Sequence, residues 1–384
     1  MPKQSLFLIG TGFIGGTLLT RLLETHREKF DFFALTRRDE QATVLKGLGV
    51  TPIKGSLADF DVIKEQTIKS DVIIHTATAD DLPSAPAILS GIASRSDLSK
   101  PVVYIHTSGT GVLCNMDNGE ESTYIHDDSV PSAMDERLTT ENIHREIDLE
   151  IKRFVDEKKG GSGARIQIVL PPLIYGKGEG PFNQRSIQIP ILTELAVKEG
   201  YSGYWGKGEA YWNNISIQAL VDGYLLILTN LVSSTPDLSS LYYFAETGEH
   251  RWRDIAEAIG MALQTRGKVE EGRAKSFGSD VFGGNRYLII QFGGNSRGRA
   301  TRLRKLGWHG KSERDVVDNV EWEMDGIFER ERFVKKIYDD ADESKVLKMS
   351  SLYQMHCSIR AYVQSGKNPF ISPRKERPSL LRHR

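Results

Sequence analysis

The chain has 384 residues, 39% of them hydrophobic and 26% charged, with a formal net charge of −1. That composition fits a soluble globular protein with room for one large or two ordinary domains. The balanced charge gives no reason to expect nucleic acid or an anionic membrane as partner, and no apolar run approaches a membrane span. Met1-Pro2-Lys3 leads almost directly into an apolar stretch without a secretory signal, and the two cysteines, Cys114 and Cys357, stand far apart. A reducing, cytoplasmic setting is therefore expected.

Residues 6–9 form a short apolar strand that runs straight into Gly10, Thr11, Gly12, Phe13, Ile14 and Gly15, and an amphipathic helix follows. This is a G-x-G-x-x-G turn in strand–turn–helix context. Gly10 allows the tight turn, Gly12 lets a pyrophosphate approach the backbone, and Gly15 brings helix close to strand. The six residues, Thr11, Phe13 and Ile14 included, are candidate dinucleotide ligands, with phosphates on the unpaired amides of the helix N-terminus.

Further strands are predicted at 30–36, 49–55, 71–77 and 101–108, separated by helix-like segments. Such alternation predicts a parallel sheet covered by helices, an α/β Rossmann-type doubly wound fold. A long helix is expected over 139–158, then a strand over 165–170 stopped by Pro171 and Pro172. From 173 to 214 the texture turns to glycine, proline and aromatics, with Tyr204, Trp205, Tyr211 and Trp212 suited either to a flat apolar substrate or to a plain core. A late strand near 241–245 is expected to rejoin the main sheet, so the smaller C-terminal lobe interleaves with it. The expected division is 1–172 for the dinucleotide domain, 173–325 for the substrate lobe, and 326–384 for a charged extension, helical or disordered, ending in a basic tail.

The second strand ends in Thr36-Arg37-Arg38, where a protein preferring NAD usually carries an acidic side chain for the ribose 2′-hydroxyl. A guanidinium there suits a 2′-phosphate, so NADP(H) is the preferred cofactor, with NAD(H) as the alternative. Asp39 and Glu40 are expected to face solvent or pair with the arginines. Asp59 either meets the adenine edge or caps the next helix.

These segments resemble the short-chain dehydrogenase/reductases, in particular the extended and atypical branch grouped with NAD-dependent epimerase/dehydratases, in a form similar to fungal members. The likeness rests on the glycine turn, on His106-Thr107-Ser108-Gly109 after the fifth strand, on Pro171 within Val169-Leu170-Pro171-Pro172, and on Leu306-Gly307-Trp308 near the end of the lobe. It implies an NAD(P)-dependent enzyme of specialised metabolism acting on a small molecule. It further implies a catalytic residue at Ser108, Pro171 beside the nicotinamide, and a homodimer through the helices flanking the sheet.

The departure is at the catalytic Tyr-x-x-x-Lys, which the chain lacks: His144 stands in the tyrosine's place and Asp148 in the lysine's. Four residues apart on a helix, the two share a face. The imidazolium of His144 is then the general acid, Asp148 sustains its charge, and Ser108 orients the substrate oxygen. Arg145 is a weaker candidate for the lost cation near the ribose. The same loss also fits a non-catalytic NADP(H)-binding sensor, or an epimerase or dehydratase that recycles its cofactor. His356 and Cys357, faintly similar to the His-x-x-His-Cys motif of fungal ustiloxin-type oxidases, fall short of the three or four ligands a metal site takes, so no metal is expected.

Overall fold

Leu6, Phe7, Leu8 and Ile9 are wholly buried, as a central strand covered on both faces requires. In a computed structural model the residues described are 2–328, except 81–82, 97–99, 117, 131, 158–162, 279, 283–285 and 313. The charged extension from 329 onward, with its basic tail and the His356–Cys357 pair, lies outside them.

Five strands alternate with four helices through the first part of the chain: β1 (Gln4–Ile9), α1 (Phe13–Thr25), β2 (Phe30–Thr36), α2 (Asp39–Gly47), β3 (Thr51–Lys54), α3 (Phe60–Ile68), β4 (Val72–His75), α4 (Ser84–Ala93) and β5 (Val103–Thr107). They join the strands Arg165–Leu170 and Tyr242–Phe244 in a seven-stranded sheet. From one edge the order is Tyr242–Phe244, Arg165–Leu170, β5, β4, β1, β2, β3, every neighbouring pair parallel. This is the doubly wound Rossmann-type arrangement, with the late strand returning as the sequence predicts. The order reverses between β1 and β4, and ligands of such sheets bind where the strands' C-terminal ends part.

Leu18, Leu19, Leu22 and Leu23 of α1 are buried in the core that this sheet shares with its helices. Each such side chain contributes about 1.5–3 kcal/mol relative to exposure. A second core gathers Trp212, Trp252, Phe282 and Phe292 around the helices Gln188–Glu199 and Trp252–Thr265. A three-stranded sheet of Leu173–Tyr175, Tyr211–Ser216 and Gly248–Arg251 underlies it. No helix among the described residues is long and apolar enough to cross a membrane.

One local expectation fails. The helix expected from 139 begins only at Arg145 and runs to Glu157. Asn142 turns back to take the amide of Thr139 and to donate to the Val112 carbonyl, and His144 has φ +67°, a left-handed conformation that helix propagation cannot pass through. The aromatic cluster, in turn, builds the lobe. Trp212 is 2% exposed and tilts against Trp252, Trp205 packs on Phe282, and Tyr211 lies between the guanidinium groups of Arg251 and Arg297.

Candidate active site

The glycine turn closes on the end of β4. Gly10 has φ +100°, and a methyl group there would strike the backbone of Thr76 and Ala77. Thr76 Oγ1 donates to the Gly10 carbonyl at 2.8 Å, and a methyl at Gly15 would overlap both of those atoms. Gly12 is different: a methyl there meets nothing within 4 Å, and no side chain caps α1 or places an acid in its first turn. Gly12 thus faces open space at the positive end of α1, which suits a pyrophosphate. Thr11 and Phe13 are buried beside this opening and Ile14 is half-buried.

Two substitutions separate these roles. Gly15→Ala is expected to destabilise the protein by about 1–3 kcal/mol, the usual cost of overpacking, read from denaturant unfolding. Gly12→Ala should unfold like the parent and yet lose at least about tenfold in dinucleotide affinity by calorimetry, because its methyl fills only the opening.

At the end of β2, Arg37 is exposed and Arg38 half-buried, and neither guanidinium makes an ion pair among the described residues. Asp39 pairs with Lys54 on β3 rather than with either arginine. Asp59 stands at the N-cap position of α3, but its carboxylate does not cap that helix. It accepts from the Ser56 amide and hydroxyl at 2.6 and 2.8 Å, and these bonds, the amide's first, hold its pKa below the ordinary carboxylate value.

Ser108, Pro171 and His144 converge at the C-terminal ends of β5 and its neighbour. The Ser108 amide donates to the Val169 carbonyl and the Thr110 amide to the Pro171 carbonyl, both at 2.9 Å. His144 Nε2 lies against Gly109 and Gly111, where a methyl on either would come within 3.2 and 3.4 Å. The partner of His144 is not Asp148, however. Its Nδ1 meets Asp80 Oδ1 at 2.6 Å, from the loop after β4. Asp148 instead accepts from Ser108 Oγ at 3.0 Å. The left-handed turn at His144 is the reason, because it removes the imidazole from the helical face that carries Asp148.

The charges of these groups are set by opposed effects. Burial works against the His144 imidazolium, but Asp80, by its charge and its hydrogen bond, and Asp148 more remotely, raise its pKa above the ordinary value. Burial pushes the Asp148 carboxyl up to about 6, against the pull of Ser108, His144 and Arg145. Asp148 is fully buried, and its Oδ1 has no hydrogen-bond partner among the described residues. Behind Ser108, His106 Nδ1 and the Tyr104 hydroxyl are hydrogen-bonded at 3.2 Å, and His106 stacks on His75 with ring centroids 5.3 Å apart. Burial lowers the pKa of both, His75 to about 4 and His106 well below the ordinary value, so this floor is neutral near pH 7. Arg145 is 1% exposed and bonds Asp135 at 2.6 Å and the Tyr242 hydroxyl at 2.9 Å. It is therefore no substitute for a lysine on a ribose.

Sequence reasoning missed Asp80, Thr76 and the Tyr104–His106 pair. Thr76 ends the strand opposite the glycine turn, a place where a small hydroxyl could have been suspected. Asp80 sits in a polar loop with no distinguishing pattern.

No family model matches the chain. Among curated proteins it is similar to the oxidase ucsJ of an Acremonium species, 26% identical over 301 residues that cover 72% of this chain and 83% of that protein. It is also similar to an uncharacterised protein of Schizosaccharomyces pombe, 29% identical over 268 residues, 67% of this chain and 80% of that one. Among solved structures it shares the fold of the UDP-glucuronic acid 4-epimerase of Bacillus cereus, solved with UDP-glucuronic acid and NAD, with a TM-score of 0.58 at 14% identity over 85% of this chain and 99% of the epimerase.

Proposed function

We propose that this chain, whose fold and relatives bear out its likeness to the extended short-chain dehydrogenase/reductases, is an NADP(H)-dependent oxidoreductase acting on a small carbonyl or alcohol. The observation that carries the reading is the Asp80–His144 pair beside the Ser108–Asp148 pair, both at the strand ends that the glycine turn also faces. When bound, the dinucleotide supplies or accepts a hydride. Gly10 to Gly15 and the start of α1 would hold its pyrophosphate, Arg37 and Arg38 its 2′-phosphate, Asp59 its adenine edge, and Pro171 would flank the nicotinamide.

The rest belongs to the chain's own side chains. His144 replaces the usual tyrosine as proton donor. With Nδ1–H fixed on Asp80, its Nε2–H is the proton available to a substrate atom next to Gly109. Asp80 keeps that proton on the ring, the role first expected of Asp148. Asp148 acts through Ser108, whose orientation it fixes. The strained φ of His144 supports the same reading, since left-handed non-glycine residues cluster at functional positions.

Calorimetric titration with NADPH and NADH, followed by a carbonyl panel read at the nicotinamide absorbance, tests the reading. Tight NADPH binding with turnover is expected. Tight binding without turnover across the panel would favour a dinucleotide sensor, and no dinucleotide binding would overturn the proposal. Replacing Arg37 and Arg38 together by alanine should weaken NADPH binding by about 10–100-fold and leave NADH binding unchanged, the loss of a charge-assisted contact to the 2′-phosphate. Equal losses for both dinucleotides would remove the case for NADP(H).

A further inference from the structure

Ser108 has one hydrogen to donate, and it points at Asp148 Oδ2. Towards any other partner the hydroxyl offers only lone pairs. Around it the charges do not balance. His144 is matched by Asp80, and Arg145 is matched by Asp135 and turned towards Tyr242. His75 and His106 beneath are neutral. Asp148 is left as a buried carboxylate whose second oxygen has no partner among the described residues. Among the described residues the site therefore carries one surplus negative charge, where the resemblance would have placed a lysine.

A ketone can use the Nε2–H of His144 and no more of this arrangement. Its oxygen can only accept, so it finds no donor in Ser108, and the negative charge growing on it during reduction is opposed by Asp148. A protonated imine fits on both counts. Its single N–H, once received from His144, meets an acceptor in the free lone pair of Ser108, and its positive charge lies in the field of Asp148.

We propose that the reacting group is a carbon–nitrogen double bond, and that the chain reduces a small secondary or cyclic imine to the amine, or oxidises such an amine in reverse. This rests on the nicotinamide-dependent reading above. The balance is closed. The imine nitrogen takes the Nε2 proton of His144, leaving a neutral imidazole. A hydride from the reduced dinucleotide then forms the new C–H bond, the C=N π pair becomes the amine lone pair, and the dinucleotide leaves oxidised. Solvent returns the proton to His144. Asp148 is a positioning and charge-matching residue, not the acid.

The test uses the full chain with NADPH and a matched pair of substrates, pyrroline and cyclopentanone, together with calorimetric binding of pyrrolidinium chloride and cyclopentanol to the chain loaded with NADP. The expected result is a kcat/KM at least about tenfold higher for the imine, and an about tenfold loss of pyrrolidinium affinity in Asp148→Asn with cyclopentanol affinity unchanged. Unchanged NADPH affinity in that variant reports its folding. Ser108→Ala, which removes the acceptor and spares the carboxylate, supplies the same binding readout should the first variant fail to fold. Turnover of cyclopentanone but not pyrroline, or pyrrolidinium binding that neither substitution alters, overturns the imine proposal and leaves the oxidoreductase reading standing. Absence of dinucleotide binding overturns both.

Discussion

His144→Ala is expected to lower turnover by about 10²–10⁴-fold, the usual contribution of a positioned general acid, with NADPH affinity changed little. The imidazole lies against Gly109 and Gly111 and is held by Asp80, with no dinucleotide contact assigned to it, so its loss should spare the dinucleotide. Asp80→Asn discriminates a chemical role from a structural one. With Asp80 ionised, the His144 pKa stands above its ordinary value despite burial. Without that carboxylate burial prevails and the pKa falls. Reduction needs the protonated ring, so activity declines as pH rises through the His144 pKa. In Asp80→Asn that declining limb should move to lower pH, with much of the activity recovered in mildly acidic buffer. A uniform loss at every pH would mean that Asp80 only holds the loop in place.

Much of this architecture is legible in the sequence because its signals are local. The apolar run before Gly10, the glycine spacing, and the alternation of strands and helices each depend on neighbours a few residues apart. Ser108 and Pro171 follow from the ends of two such strands. The Asp80–His144 pairing is not local. Asp80 and His144 are 64 residues apart and meet only because β4 and β5 are neighbours in the sheet, carrying the loop after one to the segment following the other. The assignment of Asp148 to His144 assumed helical spacing, and one left-handed residue at the helix entrance voids it. Arg145, a weaker candidate for the cation near the ribose, is instead held in a buried berth by Asp135 and by the Tyr242 hydroxyl, the latter 97 residues away. Trp212 was open between cleft and core, and the choice is made by Trp252, an element away.

Asp148→Asn should make the protein more stable at pH 8 and no more stable near pH 4. The carboxyl's folded pKa, about 6, lies above its ordinary 3.8. Its stabilising contribution is therefore complete below about 3.8 and is lost as pH rises through about 6. Above that, the buried anion costs about 3 kcal/mol, two pKa units at about 1.4 kcal/mol each. Asparagine keeps an oxygen for the Ser108 hydroxyl and does not ionise. Denaturant unfolding at the two pH values measures the difference, and an equal effect at both would show that no such charge is buried. A buried carboxylate with one oxygen unpartnered among the described residues is not accounted for by packing. The penalty is intelligible if the charge acts on a bound molecule, since sites tuned for chemistry commonly sit below the stability their sequence could reach. The same substitution that raises stability should then weaken binding of a cationic ligand, and the two effects should share one pH dependence because they report one ionisation.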